Sequence, residues 1–328
     1  MIAFVTGATG FIGSHIADVL FSHGFQVRCG FREHSNIQWL RDKPFDLVKY
    51  SLFDSNSLSQ ALKDVDYIIH CGGTIMANKP EDFFRVNRDG TINLLKSALE
   101  HSPNLKRFVF ISSQSVGGPA KSLSLPVNES NTPSPLTTYA KSKKEAEDSV
   151  LEYGKFFPVT ILRPSAVVGP RDTAIFTLFK SIKKRIVVLI GMKPKYLNLI
   201  HASDLAEATF SAAVSENTIG KIYYVADEKP VSWNEIMTLA KKELNRNFTF
   251  NIRFPHFFVL SAAFTFEQIR KIAGKPHPFN LDKGRDFIQK YWVCSVENAK
   301  KDFNFSTKFS PEEAVLDTIR WYVNNEWL

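Results

Sequence analysis

The sequence has few cysteines, no long apolar run and no internal repeat, and the first two features argue against a metal-binding and a membrane-spanning protein. Its three cysteines, Cys29, Cys71 and Cys294, show no metal-ligand spacing, so no metal site is expected. No apolar run approaches the roughly 18 residues that span a bilayer, so no transmembrane segment is predicted. No signal peptide precedes the first apolar segment, and scattered cysteines fit a reducing compartment, so we expect a cytoplasmic protein.

The net charge of +8 raises the question of a nucleic-acid partner. The lysines are dispersed, however, and many lie on predicted helix faces, as Lys141, Lys143 and Lys144 do. We therefore expect a solvated basic surface and no nucleic-acid binding, although a basic cleft would favour an anionic cofactor. The 328 residues suffice for one large domain or for a domain with an added lobe.

The most informative stretch is FVTGATGFIG, residues 4–13, which follows a short apolar strand and leads into an amphipathic helix. Gly7 allows a tight turn, Gly10 allows the backbone to approach a pyrophosphate, and Gly13 allows the helix to lie close to the sheet. The helix N-terminus offers free N–H groups to phosphates. The candidate cofactor contacts in this turn are Gly7, Thr9, Gly10, Phe11, Ile12 and Gly13.

Predicted strands and helices alternate along the first half of the chain. Strands are predicted at 2–5, 25–31, 47–50, 67–71, 108–112 and 159–162, and helices at 58–62, 81–100 and 139–153. This order predicts an α/β fold of the Rossmann type, with a doubly wound parallel sheet. Ligands of such sheets bind at the carboxyl ends of the strands.

No acidic residue ends the second predicted strand, where NAD-binding folds usually place one to hold the ribose 2′-hydroxyl. Arg32 stands there instead, followed by Ser35, and a guanidinium can bind a 2′-phosphate with two hydrogen bonds. Glu33 is an alternative ligand for a 2′-hydroxyl. The sequence therefore favours NADP and leaves NAD open.

Several segments resemble the extended short-chain dehydrogenase/reductase family, also known as the NAD-dependent epimerase/dehydratase family. They are TGATGFIG at 6–13, VNRDGT at 86–91, SSQSVG at 112–117, YAKSK at 139–143, LRPSAVVGP at 162–170 and IHASDLAEA at 200–208. The resemblance covers nearly the whole chain and is specific to about residue 226. The pattern is closest to dihydroflavonol reductases and 3β-hydroxysteroid dehydrogenases.

The resemblance implies that Ser113, Tyr139 and Lys143 are catalytic. Tyr139 and Lys143 are four residues apart and lie on one helix face. A free tyrosine has a pKa near 10, and an adjacent ammonium would lower that pKa towards neutrality. Lys143 would also bind the nicotinamide ribose, and Ser113 would polarise the substrate carbonyl.

Four further residues are implied in cofactor binding. Cys71 and Gly72 follow the fourth strand, where small residues let the cofactor pass, while Pro164 and Val167 belong to the segment that passes the nicotinamide carboxamide. The preceding His70 is expected to be a packing residue.

Two substitutions bear on the substrate. Family members that act on sugar nucleotides carry Asn where this chain has Ala166, and often Arg where it has Leu197. Losing both polar groups favours a less polar substrate, because a buried diphosphate needs partners. An apolar wall is expected from Phe176, Phe179, Ile186, Val187, Val188, Leu189, Phe254, Phe257, Phe258, Phe264 and Phe266. Basic residues between Arg171 and Arg185 are an alternative site for a diphosphate.

The sequence thus predicts an NAD(P)-dependent oxidoreductase that interconverts a secondary alcohol and a ketone on an apolar small molecule. A sugar-nucleotide epimerase or dehydratase is one alternative, and a non-catalytic NAD(P)-binding regulatory protein is another. The expected domains are a dinucleotide-binding domain at 1–165, joined by 201–226, and a smaller mixed substrate-binding lobe at 166–200 and 227–328. The apolar segment 257–266 would allow peripheral contact with a membrane, and a homodimer is left open.

Overall fold

A computed structural model describes residues 1–273 and 281–328, and its main feature is one large parallel sheet with helices on both faces. The strands are β1 (Ile2–Thr6), β2 (Gln26–Phe31), β3 (Asp46–Lys49), β4 (Tyr67–His70), β5 (Arg107–Ile111), β6 (Val159–Pro164), β7 (Ala166–Val168), β8 (Ile186–Ile190), β9 (Tyr196–Leu197), β10 (Leu199–His201), β11 (Lys221–Val225), β12 (Val231–Ser232), β13 (Phe250–Phe254) and β14 (Tyr291–Trp292). The helices are α1 (Phe11–Ser22), α2 (Ser55–Leu62), α3 (Pro80–Phe84), α4 (Gly90–His101), α5 (Thr138–Tyr153), α6 (Phe176–Lys183), α7 (Ala202–Val214), α8 (Trp233–Glu243), α9 (His256–Ala273), α10 (Leu281–Ile288), α11 (Glu297–Phe303) and α12 (Pro311–Asn324).

The large sheet has seven strands in the order β11-β6-β5-β4-β1-β2-β3, and every neighbouring pair is parallel. The chain builds outward from β1 in one direction and then returns to build outward from β4 in the other. The crevice between the carboxyl ends of β1 and β4 is therefore the position where such sheets bind ligands. The predicted doubly wound Rossmann-type sheet is confirmed.

Both faces of the sheet are covered, which explains its continuous apolar strands. Every residue of β5 is buried. On one face, α1 and α7 contribute Ile16, Leu20 and Leu205 to the core, and on the other α4 and α5 contribute Leu94 and Val150. The glycine turn before α1 and the start of α5 thus lie at the same edge of the sheet, on opposite faces.

The predicted helix at 81–100 is present as a continuous helical run from Pro80 to His101, but its middle is wound more loosely. Residues Arg85–Asp89 form a π-helical turn between α3 and α4. Such insertions are frequent at functional sites because they re-aim side chains.

A smaller unit beside the large sheet has its own core, formed by α6, α8, α12 and short strand pairs. The sequence assigns all of 227–328 to this lobe, but Val293, Cys294, Ala299 and Phe303 pack in the core under the large sheet instead, because α11 lies against β11.

None of the helices in the described ranges 1–273 and 281–328 is long and apolar enough to cross a membrane.

Candidate active site

The turn between β1 and α1 has the geometry of a phosphate cradle. Gly7 has a φ of +69°, and a methyl group there would lie 2.9 Å from the backbone nitrogen of Gly72. A methyl group at Gly13 would lie 2.2 Å from the carbonyl oxygen of Gly7. Gly10 is the N-cap residue of α1, and no side chain among the described residues makes a capping hydrogen bond to the N–H groups at this end of the helix. Phe11 and Ile12 start the helix beside it, and partly exposed Thr9 lies in the turn, so a dinucleotide pyrophosphate fits here.

The loop after β4 is tied to this turn through Thr6. The hydroxyl oxygen of Thr6 accepts a hydrogen bond from the backbone N–H of Gly72 at 3.0 Å and lies 2.7 Å from Nδ1 of His70. His70 also contacts the Thr91 hydroxyl at 2.9 Å. Burial, helped by the charge of Lys143, lowers the pKa of His70 to about 3. His70 is therefore a neutral packing residue.

The carboxyl ends of β2 and β3 form an open cleft that contains Arg32 and Ser35. The Ser35 hydroxyl accepts a hydrogen bond from the backbone N–H of Arg32 at 3.1 Å. Glu33 is paired with Lys49 at 2.9 Å, and this contact lowers the pKa of its carboxyl group. The cleft thus presents a guanidinium and a hydroxyl beside two carboxylates: Glu33, which pairs with Lys49, and Asp54, which accepts a hydrogen bond from the backbone N–H of Asn56 at 3.1 Å.

The three expected catalytic residues lie together at the carboxyl end of β5. Burial raises the pKa of Tyr139 to about 12, and a hydrogen bond with the Ser113 hydroxyl opposes this rise only in part. Burial lowers the pKa of Lys143 to about 8. Its ammonium donates to the carbonyl of Ile111 at 2.7 Å and lies 3.9 Å from the centre of the Phe110 ring.

The lowered pKa expected for Tyr139 differs from what the structure shows. Desolvation of the phenolate outweighs any effect of Lys143, whose ammonium is directed to the Ile111 carbonyl. Tyr139 is consequently a neutral phenol at physiological pH, which suits it to donate a proton. Lys143 titrates close to that range, so its charge depends on modest changes of pH.

A buried ion pair below the catalytic helix escaped sequence analysis. Glu147, one turn after Lys143, accepts hydrogen bonds from Arg163 at 2.9 and 2.6 Å and from the Ser112 hydroxyl at 2.5 Å. The same guanidinium donates to the Tyr224 hydroxyl at 3.0 Å. This network fixes α5 to β5, β6 and β11. The only signal in the sequence was the arginine of LRP at 162–164.

The π-helical turn places Asn87 between the loop after β4 and α5. Its amide nitrogen donates to the Thr74 carbonyl at 3.0 Å and to the Ser142 hydroxyl at 2.9 Å, and its amide oxygen accepts from the Thr74 N–H at 2.8 Å. A methyl group at Gly73 would lie 3.0 Å from that oxygen. Asn87 therefore holds the loop and the catalytic helix in register.

Helix α10, which sequence analysis did not connect with the site, lies over the start of α5. The carboxylate of Asp282 accepts a hydrogen bond from the backbone N–H of Thr138 at 2.7 Å. One turn later, the charge of Asp286 helps to raise the pKa of Tyr139, and burial raises the pKa of Asp286 itself. The Tyr139 phenol is thus influenced by a carboxyl group about 150 residues further along the chain.

A cavity of about 490 Å³ opens beside the site, between β7, β8, α8 and α10. Ala166 and Leu197 line it, as do Val167, Leu178, Leu189, Leu199, Trp233 and Met237. Most of its surface is apolar. Four cationic side chains also reach it: Lys193, Lys195, Arg253 and Lys283. Lys195 donates to the Phe287 carbonyl, and burial lowers its pKa to about 8.

The expected apolar wall is only partly correct. Of the set named from the sequence, Val188 and Leu189 line the cavity. Phe179 and Val187 are buried in the lobe core instead. The five phenylalanines from Phe254 to Phe266 are exposed, because all of β13 is exposed and α9 buries Val259 and Ala263 instead.

The remaining predicted residues are near the crevice or engaged elsewhere. Cys71 directly follows β4 and is half-buried, and burial raises the pKa of its thiol to about 11. Pro164 ends β6, and Val167 lies on β7 and lines the cavity. Arg171 does not reach the cavity, because its guanidinium pairs with Asp18 on α1 at 2.9 Å. Within the described ranges, no group of three or more histidine, cysteine or acidic side chains is arranged to hold a metal.

Comparisons with known proteins agree with this geometry. Residues 3–226 match the NAD dependent epimerase/dehydratase family. The chain is 27% identical to a ceramide reductase of Caulobacter vibrioides, over 99% of this chain and 95% of the relative. It is 25% identical to a decarboxylating sterol-4-alpha-carboxylate 3-dehydrogenase of Dictyostelium discoideum, over 94% and 96%. The solved structure of gox2253 superposes with a TM-score of 0.82 at 25% identity, over 99% and 98%.

The resemblance inferred from the motifs is therefore confirmed. The family match spans more than half of the chain, from β1 to the end of the large sheet, and includes the glycine turn and the Tyr139–Lys143 pair. The protein is an enzyme, an oxidoreductase or an epimerase, and it belongs to the NAD dependent epimerase/dehydratase family.

Proposed function

We propose that the protein is an NADP(H)-dependent oxidoreductase that interconverts a ketone and a secondary alcohol on a long apolar molecule. The observation that carries this proposal is the cavity lined by α10, the helix that also contacts the start of α5, and its walls are apolar at Ala166 and Leu197. A volume of about 490 Å³ accepts a ligand of lipid or steroid size. The relative named as a ceramide reductase, which matches almost end to end, supports a long-chain substrate.

The roles of the residues follow from their protonation states. NADPH supplies a hydride to the carbonyl carbon when it is bound. Tyr139, a neutral phenol, donates its proton to the carbonyl oxygen as negative charge develops there. Ser113, which hydrogen-bonds Tyr139, donates to the same oxygen and fixes its position. The Lys143 ammonium stabilises the phenolate that remains after transfer.

The choice of NADP over NAD rests on the cleft at the end of β2. Arg32 and Ser35 supply donors for a 2′-phosphate, while the two carboxylates of the cleft have other partners: Glu33 pairs with Lys49, and Asp54 accepts from the backbone N–H of Asn56. In an enzyme selective for NAD, a carboxylate at this position would accept a hydrogen bond from the 2′-hydroxyl.

The test is a turnover assay with NADPH and a panel of ketones. We expect steady oxidation of NADPH with long aliphatic or steroid-like ketones and none with short polar ones. Tyr139→Phe should lower turnover by about a hundredfold to ten-thousandfold and leave NADPH binding intact. Tyr153→Phe, at the exposed end of the same helix, is the matched control and should be near normal. A Tyr139→Phe variant with normal turnover would refute the mechanism.

A sugar-nucleotide epimerase is the second candidate, favoured by the cations around the cavity. The cavity is lined by cations that are placed to bind a diphosphate: Lys193, Lys195, Arg253 and Lys283. Ala166 and Leu197, at the positions where sugar-nucleotide members of the family carry polar ligands, cannot bind one. Calorimetry with UDP-, GDP- and dTDP-sugars in the presence of NADP separates the two. Micromolar binding that is lost in Lys193→Ala or Arg253→Ala would replace the reductase proposal by the epimerase.

A further inference from the structure

In the two-stranded sheet formed by β8 and β13, the face turned to solvent is apolar. The strands pair in parallel, so Phe250 lies beside Ile186 and Ile252 lies beside Val188. Alternate residues share a face, and in a half-exposed sheet the outward face is normally polar. Here the outward residues are apolar: Phe250 is 62% exposed, and Ile186, Val188, Ile252 and Phe254 are each 40–42% exposed.

The side chains between these outward residues anchor β8 more firmly than β13. On β8, Val187 is fully buried in the lobe core, and Leu189 packs against that core. On β13, Asn251 and Arg253 are themselves exposed: Arg253 lines the cavity, and Asn251 accepts a hydrogen bond from Lys241 at 3.1 Å. β13 is therefore exposed along its whole length, with Phe250, Ile252 and Phe254 together on one face.

Helix α9 extends the same surface. It follows β13 after Pro255 and buries Val259 and Ala263, the latter against Gly284 of α10. On its other side, Phe257, Phe258 and Phe264 are 62%, 53% and 55% exposed. We call the exposed side chains of β8, β13 and α9 the apolar face: Ile186, Val188, Phe250, Ile252, Phe254, Phe257, Phe258 and Phe264. Monomeric soluble proteins seldom expose so many large apolar groups together.

The charge around the apolar face identifies its partner. Residues 176–195 contain six cationic side chains and no acidic one, and residues 244–266 contain two arginines and no acidic residue. Lys183, Lys184 and Arg185, at the start of β8, form no ion pair with any carboxylate in the part of the chain that the structure describes. Exposed aromatics with a basic border match the interface of a bilayer that contains anionic lipids.

We propose that the apolar face docks on the surface of an anionic lipid bilayer and that the cavity opens towards the bilayer there. Val188 belongs both to the apolar face and to the cavity lining. An apolar substrate dissolved in the bilayer therefore enters the cavity without crossing water. This docking does not depend on which substrate the cavity accepts, so it can be tested without a catalytic assay.

The test is sedimentation with vesicles of phosphatidylcholine, with and without phosphatidylglycerol. We expect the protein to bind the anionic vesicles more tightly, and Phe250→Ser/Phe257→Ser to lower the partition coefficient at least tenfold. Phe53→Ser/Phe156→Ser removes two phenylalanines that are 46% and 57% exposed on the other domain, and should bind as wild type does. Unchanged NADPH binding and thermal unfolding will show that both variants are folded.

The electrostatic part is tested separately. Lys183→Glu/Lys184→Glu should lower binding to anionic vesicles about tenfold and leave the weaker binding to neutral vesicles unchanged. Lys63→Glu/Lys121→Glu, on the dinucleotide-binding domain, is the control with the same change of charge. The proposal is overturned if wild type remains in the supernatant with both kinds of vesicle, or if both phenylalanine variants bind equally. It is also overturned if light scattering shows a dimer that Phe250→Ser/Phe257→Ser dissociates, because the apolar face would then bind a second copy.

Discussion

At the scale of single residues, the role proposed for Lys143 depends on whether its ammonium is charged. The ammonium is buried, and its pKa is lowered to about 8 mainly because burial disfavours the charge. Tyr139 stays protonated far above this pH, since its pKa is raised to about 12. The two residues therefore titrate in well-separated ranges, and the lower range lies close to physiological pH.

We predict that reduction is lost as the pH rises through about 8. A group whose folded pKa is about 8 is charged below that pH and neutral above it, and the phenolate left by proton donation needs the charge. Plots of kcat/KM, which report the free enzyme, should be flat at lower pH and fall with the loss of one proton. Lys143→Arg, if it supports turnover, should remove that fall. A flat wild-type profile up to about pH 10 would contradict the role given to Lys143.

Arg32 is predicted to select the cofactor. Arg32→Ala should weaken NADP by about tenfold to a hundredfold, because a charge-assisted hydrogen bond contributes about 1.5–3 kcal/mol. NAD, which lacks the 2′-phosphate, should be little affected. Titration of both cofactors by calorimetry checks this, and Glu33→Gln is the companion variant. A loss of NAD affinity in Glu33→Gln, with NADP unchanged in Arg32→Ala, would favour the alternative in which Glu33 holds the ribose.

The residues that could be predicted from the sequence are those whose partners lie only a few positions away in the chain. Gly7 and Gly13 are recognisable because their neighbours in sequence dictate a turn, and Tyr139 and Lys143 because one helical turn separates them. The high pKa of Tyr139 was not predictable. It depends on burial and on Asp286, which no local pattern connects with a helix so far away in the sequence.

At the scale of elements, α5, which carries Tyr139 and Lys143, is held by a buried ion pair that no local sequence pattern reveals. The side chains of Glu147 and Arg163 are 1% and 2% exposed, and their two hydrogen bonds join α5 to β6. A buried charge that loses its partner strongly destabilises the folded state. The intact pair, however, contributes little more to the stability of the fold than apolar residues of the same size would.

Arg163→Met is therefore predicted to destabilise the fold by about 3–5 kcal/mol, because Glu147 would remain buried without a counter-charge. The double variant Glu147→Leu/Arg163→Met should recover most of this loss. Arg88→Met is the control: it breaks exposed pairs with Asp89 and Glu145 and should cost less than about 1 kcal/mol for each pair. Chemical unfolding gives all three values, and equal costs for Arg163→Met and Arg88→Met would count against the network.

The elements themselves were mostly predictable, with two instructive exceptions. The run from Pro80 to His101 has an apolar period that indicates a helix, but nothing in that period signals the π-helical turn that aims Asn87. The aromatic sequence of β13 is typical of a core strand, because sequence alone does not show whether an apolar side chain faces a core or solvent. Its partner β8 and the buried Val187 settle which face is which.

At the scale of the whole molecule, the large sheet follows from the order of strands and helices, since a parallel sheet with right-handed crossovers allows few arrangements. The division of the chain between the large sheet and the smaller lobe does not follow from that order. Residues near Val293 and Phe303 return to the large sheet after the chain has built the lobe. Composition shows no sign of this return, and only the packing of α11 against β11 reveals it.

Helix α10 has a consequence for how this enzyme can change. Its residues Lys283 and Phe287 line the cavity, while Asp282 and Asp286, on the same two turns, contact Thr138 and influence Tyr139. A mutation on α10 that widens the cavity for a bulkier substrate therefore alters the same helix whose Asp286 adds to the burial that raises the pKa of the phenol. Adaptation to a new substrate through α10 is thus expected to affect turnover as well as binding. Changes on β7 or α8 leave those contacts in place and are the better starting points for redesign.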